Sequence, residues 1–326
     1  MKKFGPGFNP DEIIFCPTSL CNLKCEHCFV EQKNTKLNVE DSIALLEDCA
    51  KNIDFLKVGF SGGEPFLNLD FTTEICKKAV DLGLVFDRLM TNGIWWNTED
   101  DLNKKLRAIS TSGFDGKIGL SYDKFHGQPL EKISTFIKAC YEIFADKNCV
   151  EILSVVDSGN KKKDTEDFLQ TMEDLKAELG FVKIKSKLDK KTGIGSILIQ
   201  DENDAELTVY RFAQSFIPDD KIQLNDSKWF EEDYCQYTGN VFYVHSDGNI
   251  APCCGFANEK KELFIGTVKD SFATLMKNAS ENIMVHICYD LGLLKKAKEL
   301  QKLKILTKGK CNDMCSLCWW MCRKEQ

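Results

Sequence analysis

The segment Cys21-Asn22-Leu23-Lys24-Cys25-Glu26-His27-Cys28 spaces three thiols by three and then two residues. Three protein ligands can hold a four-iron cluster and leave one iron open, and an open position separates a reactive metal site from a structural one. The same three cysteines could instead bind zinc, with Cys16 or His27 as the fourth ligand. Ser61-Gly62-Gly63-Glu64-Pro65 comes next. Its two glycines allow close approach of a ligand to the backbone, and its glutamate and carbonyls can accept hydrogen bonds from an ammonium group. Alone it is also an ordinary strand-to-helix turn. Thr91-Asn92-Gly93 and Ser121-Tyr122-Asp123, with His126 just beyond, are two further polar clusters.

These clusters gain meaning from the elements that carry them. Candidate strands cover Glu12–Phe15, Phe55–Phe60, Leu84–Met90, Lys117–Ser121, Val150–Val156 and Phe181–Ile184. Helical patterns lie between them near 38–51, 66–82, 98–110, 128–145 and 163–179. Asn38 is the expected N-cap of the first, with Glu40 and Asp41 in its first turn. From the second strand on, strand starts recur about every 30 residues, which makes six βα units and an α/β parallel sheet. Six units fall short of the eight of a closed barrel. The expected fold is a partial (βα)6 TIM-like barrel over residues 1–186, with a doubly wound open sheet as the alternative. All four polar clusters then sit at strand carboxyl ends, the edge that carries active sites in such folds.

Residues 187–234 are less regular and are expected to be an elaborated linker. Residues 235–326 have a different pattern. Asn240–His245 and Asn249–Cys253 flank Ser246-Asp247-Gly248, a hairpin signal, and helical segments follow near 268–280 and 286–306. The chain holds 16 cysteines, four of them at Cys311, Cys315, Cys318 and Cys322. Such clustering points to metal or iron–sulfur ligation and to a small carboxyl-terminal domain organised by metal. A structural zinc site is the competing reading. Cys254 follows Cys253 on a segment expected to be extended, so the two side chains should face opposite ways. It is either a reactive thiol or a small packed residue. His27, His126 and the Trp95-Trp96 and Trp319-Trp320 pairs are read as loop, cavity or packing residues.

Composition sets the remaining bounds. Lys plus Arg is 43, Asp plus Glu is 50, and the net charge is −7, which disfavours a nucleic-acid partner. No apolar run approaches the roughly 20 residues of a bilayer span, and the amino-terminal residues lack a secretory apolar stretch. The expectation is a cytoplasmic protein without a membrane partner, in which cysteines stay reduced.

Cys21, Cys25 and Cys28, the Gly62-Gly63-Glu64-Pro65 motif and the strand order resemble the radical S-adenosylmethionine (SAM) enzymes over about residues 12–186. The resemblance implies that the three cysteines hold a [4Fe–4S] cluster whose open iron binds the amine and carboxylate of SAM. It implies that Gly62, Gly63 and Glu64 contact the methionine amine, that Asn92, Ser121 and Asp123 serve the ribose and carboxylate, and that Phe29 flanks the adenine. Reduction of the cluster would cleave SAM and form a 5′-deoxyadenosyl radical that abstracts hydrogen. The cofactor carries this chemistry and the protein positions it.

The hairpin ending in Pro252-Cys253, with Cys235 upstream, is similar to auxiliary-cluster domains of the SPASM and twitch type. Their tails have a longer gap between the central cysteines than Cys311-x3-Cys315-x2-Cys318-x3-Cys322. The resemblance implies at least one auxiliary [4Fe–4S] cluster, with Cys235, Cys253, Cys315 and Cys318 as its preferred ligands. Cys311 and Cys322 could bind a second cluster, exchange into the first, or do neither.

Ser121-Tyr122-Asp123 with His126, Asp247-Gly248 and Pro252-Cys253-Cys254 are similar to peptidyl epimerases of that group. Those enzymes mature ribosomally made peptides by removing a Cα hydrogen and returning one to the other face. Cys254 would be the hydrogen donor here. Between Cys235 and Asp247 no residue stands out to manage the proton or hydrogen inventory, since Asn240 and Val241 are not acid–base groups. Thioether or carbon–carbon cross-linking of a peptide, a small-molecule reaction and a non-catalytic cysteine-rich scaffold are the alternatives. The implied partners are a peptide substrate and a one-electron reductant such as flavodoxin or ferredoxin.

Overall fold

The computed structural model describes residues 5–157, 160–203, 205–213, 234–235, 239–305 and 314–322. Cys311 lies outside them. The chain begins with alternating strands and helices: β1 (Glu12–Phe15), α1 (Val39–Asn52), β2 (Lys57–Phe60), α2 (Leu69–Asp81), β3 (Val85–Thr91), α3 (Glu99–Thr111), β4 (Lys117–Ser121), α4 (Leu130–Phe144), β5 (Val150–Val156) and α5 (Lys161–Glu178). Local chemistry explains the boundaries. Asn38 caps α1 by accepting from the Asp41 N–H at 2.7 Å, and Thr98 caps α3 by accepting from the Asp101 N–H at 3.2 Å. β4 buries Ile118, Gly119 and Leu120 in succession, as a parallel strand covered on both faces does.

Strands β1 to β5 lie side by side in chain order and every neighbouring pair is parallel. Right-handed crossovers that always step the same way place their helices on one face of the sheet. Neighbouring helices from α1 to α5 pack in the same order. A doubly wound sheet needs a reversal of order, which is absent from β1 to β5. The α/β chain therefore forms a partial TIM-like barrel, with an outer helical layer and an inner lumen.

The sixth unit differs from expectation. β6 (Lys183–Leu188) is an edge strand, antiparallel to β7 (Gly195–Gln200). Exposed Lys183, Lys185 and Lys187 line one side of it, a composition that discourages pairing with other chains. The parallel partner of β5 is β8 (Glu206–Ala213). The stretch 187–234, expected as a linker, thus supplies β7 and β8 to the sheet. Ile197, Ile199, Leu207 and Val209 are fully buried with a period of two, a strand signal obscured in sequence by the charged turn at Asp201 and Glu202.

The carboxyl-terminal hairpin joins this sheet as well. β9 (Gly239–Val244) runs parallel to β1, with Glu12 opposite Val241. β10 (Asn249–Cys253) returns antiparallel to it, and β11 (Gly266–Thr267) closes the edge of a sheet that has 11 strands among the described residues. Gly248 takes φ +90° in the hairpin turn. The register slips between Ala251 and Cys253, where Pro252 has no N–H to give. Beyond lie α6 (Phe272–Glu281), α7 (Ile283–His286), α8 (Leu293–Lys302) and α9 (Met314–Cys322). The helix expected over 286–306 is interrupted by a π-helical turn, Ile287–Leu291, and by Gly292 at φ +96°. One apolar core runs from Phe15, Leu46 and Phe136 into Phe242, Met284 and Leu317. No helix among the described residues is long and apolar enough to cross a membrane.

Candidate active site

Cys21, Cys25 and Cys28 sit on the irregular loop between β1 and α1, the first two half-buried and the third exposed. They line a cavity of about 190 Å³ with Phe29, Gly62, Gly63, Asn92, Ser121 and His126. Backbone bonds dock this loop on the β2 turn: the Gly63 N–H donates to the Thr18 carbonyl at 3.0 Å and the Glu64 N–H to the Leu20 carbonyl at 2.8 Å. Both glycines are required by that docking. Gly62 has φ +109°, and a Cβ there would overlap the Cys16 sulfur; a Cβ on Gly63 would overlap the Leu20 carbonyl oxygen. The β2 glycines thus admit a protein loop as well as lining the cavity.

Glu64 differs from the sequence expectation. It is fully buried and does not line the cavity. Its carboxylate accepts from the Thr91 hydroxyl and the Asn92 N–H, both at 2.9 Å, and from the Phe66 N–H at 3.2 Å. Burial pushes its carboxyl up to about 7, against the downward pull of these donors. Glu64 therefore ties the end of β3 to the β2 turn, rather than presenting its carboxylate to a ligand amine. Asn92 extends the tie. Its side-chain N–H₂ donates to Asn22 Oδ1 at 2.9 Å and reaches the Cys21 sulfur at 3.6 Å.

Ser121 lines the cysteine cavity, but Asp123 does not. Asp123 faces a neighbouring cavity of about 470 Å³ with Lys124, Asp164 and Arg211. Its carboxylate accepts from the Phe125 N–H at 3.0 Å and pairs with His126 Nδ1 at 2.8 Å. Burial raises the Asp123 pKa, but the bond to His126 and the nearby histidines outweigh it and hold the carboxyl low. Burial disfavours the His126 cation, yet Asp123 and Cys25, both hydrogen-bonded to the ring, lift it to about 9. His27 joins this pair, with ligand atoms of all three residues within 4.8 Å of one another. The sequence places His27 in the cysteine loop and His126 just beyond Ser121-Tyr122-Asp123, but no local spacing shows that they meet.

The three cysteines line one cavity, and their sulfurs are a soft donor set that suits iron–sulfur or zinc ligation. The Leu23 N–H donates to the Cys21 sulfur at 3.4 Å, and such bonds tune iron-bound thiolates.

A second cavity, about 610 Å³, occupies the lumen toward the strand amino ends. Glu12, Gly59, Asp87, Arg88, Val241 and Cys254 line it, and Ser61 and Met90 line both this cavity and the cysteine cavity. Glu12 belongs to no sequence motif. Burial, then the neighbouring Asp87, pushes its carboxyl up to about 7, and Arg88 pairs with Glu151 beside it. Burial also pushes the Cys254 thiol up to about 12, so it stays S–H at neutral pH.

Cys253 points the other way, as the extended backbone requires. It lines an apolar cavity with Cys235, Cys288, Cys315 and Cys318. The four expected auxiliary ligands thus share one cavity, and a fifth cysteine joins them. Soft thiolates in an apolar pocket suit an iron–sulfur cluster or zinc. Cys322, on the same helix, is fully buried but does not line it.

Comparison with known proteins gives a consistent picture. The family described as a 4Fe-4S single cluster domain matches residues 5–124. A putative peptide biosynthesis protein, YydG of Bacillus subtilis (strain 168), is 24% identical over 312 residues, 92% of this chain and 88% of its own length. A GTP 3′,8-cyclase of Clostridium acetobutylicum is 25% identical over 191 residues, 55% of this chain and 57% of its own length. In fold the chain resembles the solved structure of a polyhistidine-tagged anSMEcpe with bound AdoMet, at a TM-score of 0.58 and 18% identity, covering 97% of this chain and 95% of that one. A structure of native anSMEcpe with AdoMet and the Kp18Cys peptide matches equally, at a TM-score of 0.58 and 16% identity, over 97% and 95%. The three-cysteine loop, the glycine turn docked on it and the partial barrel behind them are similar to those of radical SAM enzymes, which use a [4Fe–4S] cluster and SAM.

Proposed function

We propose that this chain is a radical SAM enzyme that modifies a peptide, converting an L-residue to its D-form. The carrying observation is the position of Cys254. It lines the lumen on the side of the strand amino ends, while Cys21, Cys25 and Cys28 lie at the carboxyl ends. Ser61 and Met90 border both cavities, so a substrate lying across them would be reached from two sides. The similarity to YydG supports a peptide as substrate, and the peptide complex of anSMEcpe is a precedent for one in a similar fold.

Cys21, Cys25 and Cys28 would hold the cluster, which when bound and reduced would supply the electron for reductive cleavage of SAM. On the protein side, Gly62, Gly63, Asn92, Ser121 and Phe29 would orient SAM, and Asn92 and His126 would steady the cysteine loop. Cys254 would give its sulfur-bound hydrogen atom to the face of Cα opposite the abstraction, which inverts the centre, and the thiyl left behind would regain its S–H with one electron from the reductant and one proton from water. Cys235, Cys253, Cys315 and Cys318 would hold an auxiliary cluster behind Cys254. A flavodoxin or ferredoxin would supply electrons singly.

Candidate peptides incubated in heavy water with SAM and a reductant test this reading. A gain of one mass unit at one residue, with D-configuration, supports it. Cys254→Ala should still form 5′-deoxyadenosine while deuterium uptake stops. A loss of two hydrogens would replace epimerisation by a cross-link. Turnover of a nucleoside triphosphate without peptide would favour a small-molecule reaction, the direction in which the cyclase similarity points.

A further inference from the structure

Cys288 carries no motif spacing, yet it lines the apolar cavity with Cys235, Cys253, Cys315 and Cys318. Its place is firmly built. It lies in the π-helical turn Ile287–Leu291, a wide turn that is rare and recurs at functional sites. The Cys235 N–H donates to the Cys288 carbonyl at 3.1 Å. The adjacent Tyr289 hydroxyl donates to the Pro252 carbonyl at 2.7 Å and accepts from the Asn240 N–H at 3.2 Å. Three cysteine-bearing segments are thereby bound to one another through Cys288 and its neighbour.

The sulfurs of Cys288 and Cys318 stand 3.7 Å apart. That matches the edge of a single-metal tetrahedron, about 3.8 Å for Zn–S bonds of about 2.3 Å. Thiolates on separate irons of one cluster need more room than two touching sulfurs. Cys288 and Cys318 are thus close enough to serve one metal position, and Cys235, Cys253 and Cys315 line the same cavity. Five thiols line a cavity whose four-iron cluster would have four corners.

We propose that Cys288 and Cys318 are interchangeable ligands for one corner of the auxiliary cluster, whose other corners are Cys235, Cys253 and Cys315. The proposal rests on the auxiliary-cluster reading given above. A corner with two thiols can exchange its ligand without losing the cluster.

The test is iron and sulfide content, with electron paramagnetic resonance of the reduced state, in full-length protein reconstituted without oxygen. A background carrying Cys21→Ala, Cys25→Ala and Cys28→Ala leaves the auxiliary site to be read alone. There, Cys288→Ala and Cys318→Ala should each retain about four irons, as one four-iron cluster requires. Their signals should differ slightly from each other. The double variant should lose the four-iron signal, with a circular dichroism spectrum like that of the single variants. Complete loss in Cys318→Ala alone would overturn the proposal, as would full retention in the double variant. No iron in the background protein, or one zinc instead, would overturn the auxiliary-cluster reading itself and this proposal with it.

Discussion

The two cysteine-rich regions follow opposite plans. In the first, three cysteines occupy one irregular loop, partly open to solvent, and are steadied by polar groups from three strand ends. In the second, five cysteines come from four separate segments and close around an apolar cavity. An open site leaves a coordination position for a reactant, whereas a closed site holds its metal and ties segments together. The first plan suits chemistry on a bound reactant, and the second suits holding segments of the fold together.

That contrast can be broken experimentally, and the largest effect should come from the first site. Cys21→Ala should bring 5′-deoxyadenosine formation to background, with the melting temperature of the iron-free protein barely changed. A variant that stays active would mean the loop is not the reactive site. Gly62→Ala should cost about 3 kcal/mol of unfolding free energy, since its Cβ meets Cys16 and its φ is +109°. Chemical denaturation measures this. An unchanged midpoint would show that the loop is not docked on the β2 turn.

The Glu64 carboxyl links both ideas. Its folded pKa is raised to about 7 by burial, above the ordinary 4.5 of the unfolded chain. Its contribution to stability is therefore fully present below about pH 4.5 and is lost as the pH rises through 7. The difference in unfolding free energy between wild type and Glu64→Gln should shrink over that window. A difference that grows with pH would show an ionised, donor-stabilised carboxylate instead. Tyr289→Phe should have the smallest effect, about 1 kcal/mol, by removing the bonds to Pro252 and Asn240. It should also loosen iron retention at the second site and leave SAM cleavage at the first unchanged.

Much of this was readable from the chain. The 3-and-2 cysteine spacing, the glycine turn and the polar strand ends identified the first site, because all its parts are local motifs on consecutive βα units. Asn38 and the period of α1 were legible for the same reason. β8 was missed because its alternation follows a charged turn and its partner, β5, is distant in sequence. Glu64 looked like a ligand because a glutamate beside two glycines has the right chemistry. Only burial shows it gripping Asn92 instead. Asp123 and Ser121 are neighbours in sequence that face different cavities.

The sequence by itself determined the cofactor class and the repeating architecture, since thiol spacing and hydrophobic period are properties of short segments. It also determined that Cys253 and Cys254 diverge, because an extended backbone alternates its side chains. The tertiary structure decided what each of them meets. Pairing of β9 with β1 brings Cys254 into a lumen shared with Glu12 and Asp87. The π-helical turn brings Cys288 against Cys318, 30 residues away in the chain. Such meetings depend on long-range register and packing, which no local pattern encodes.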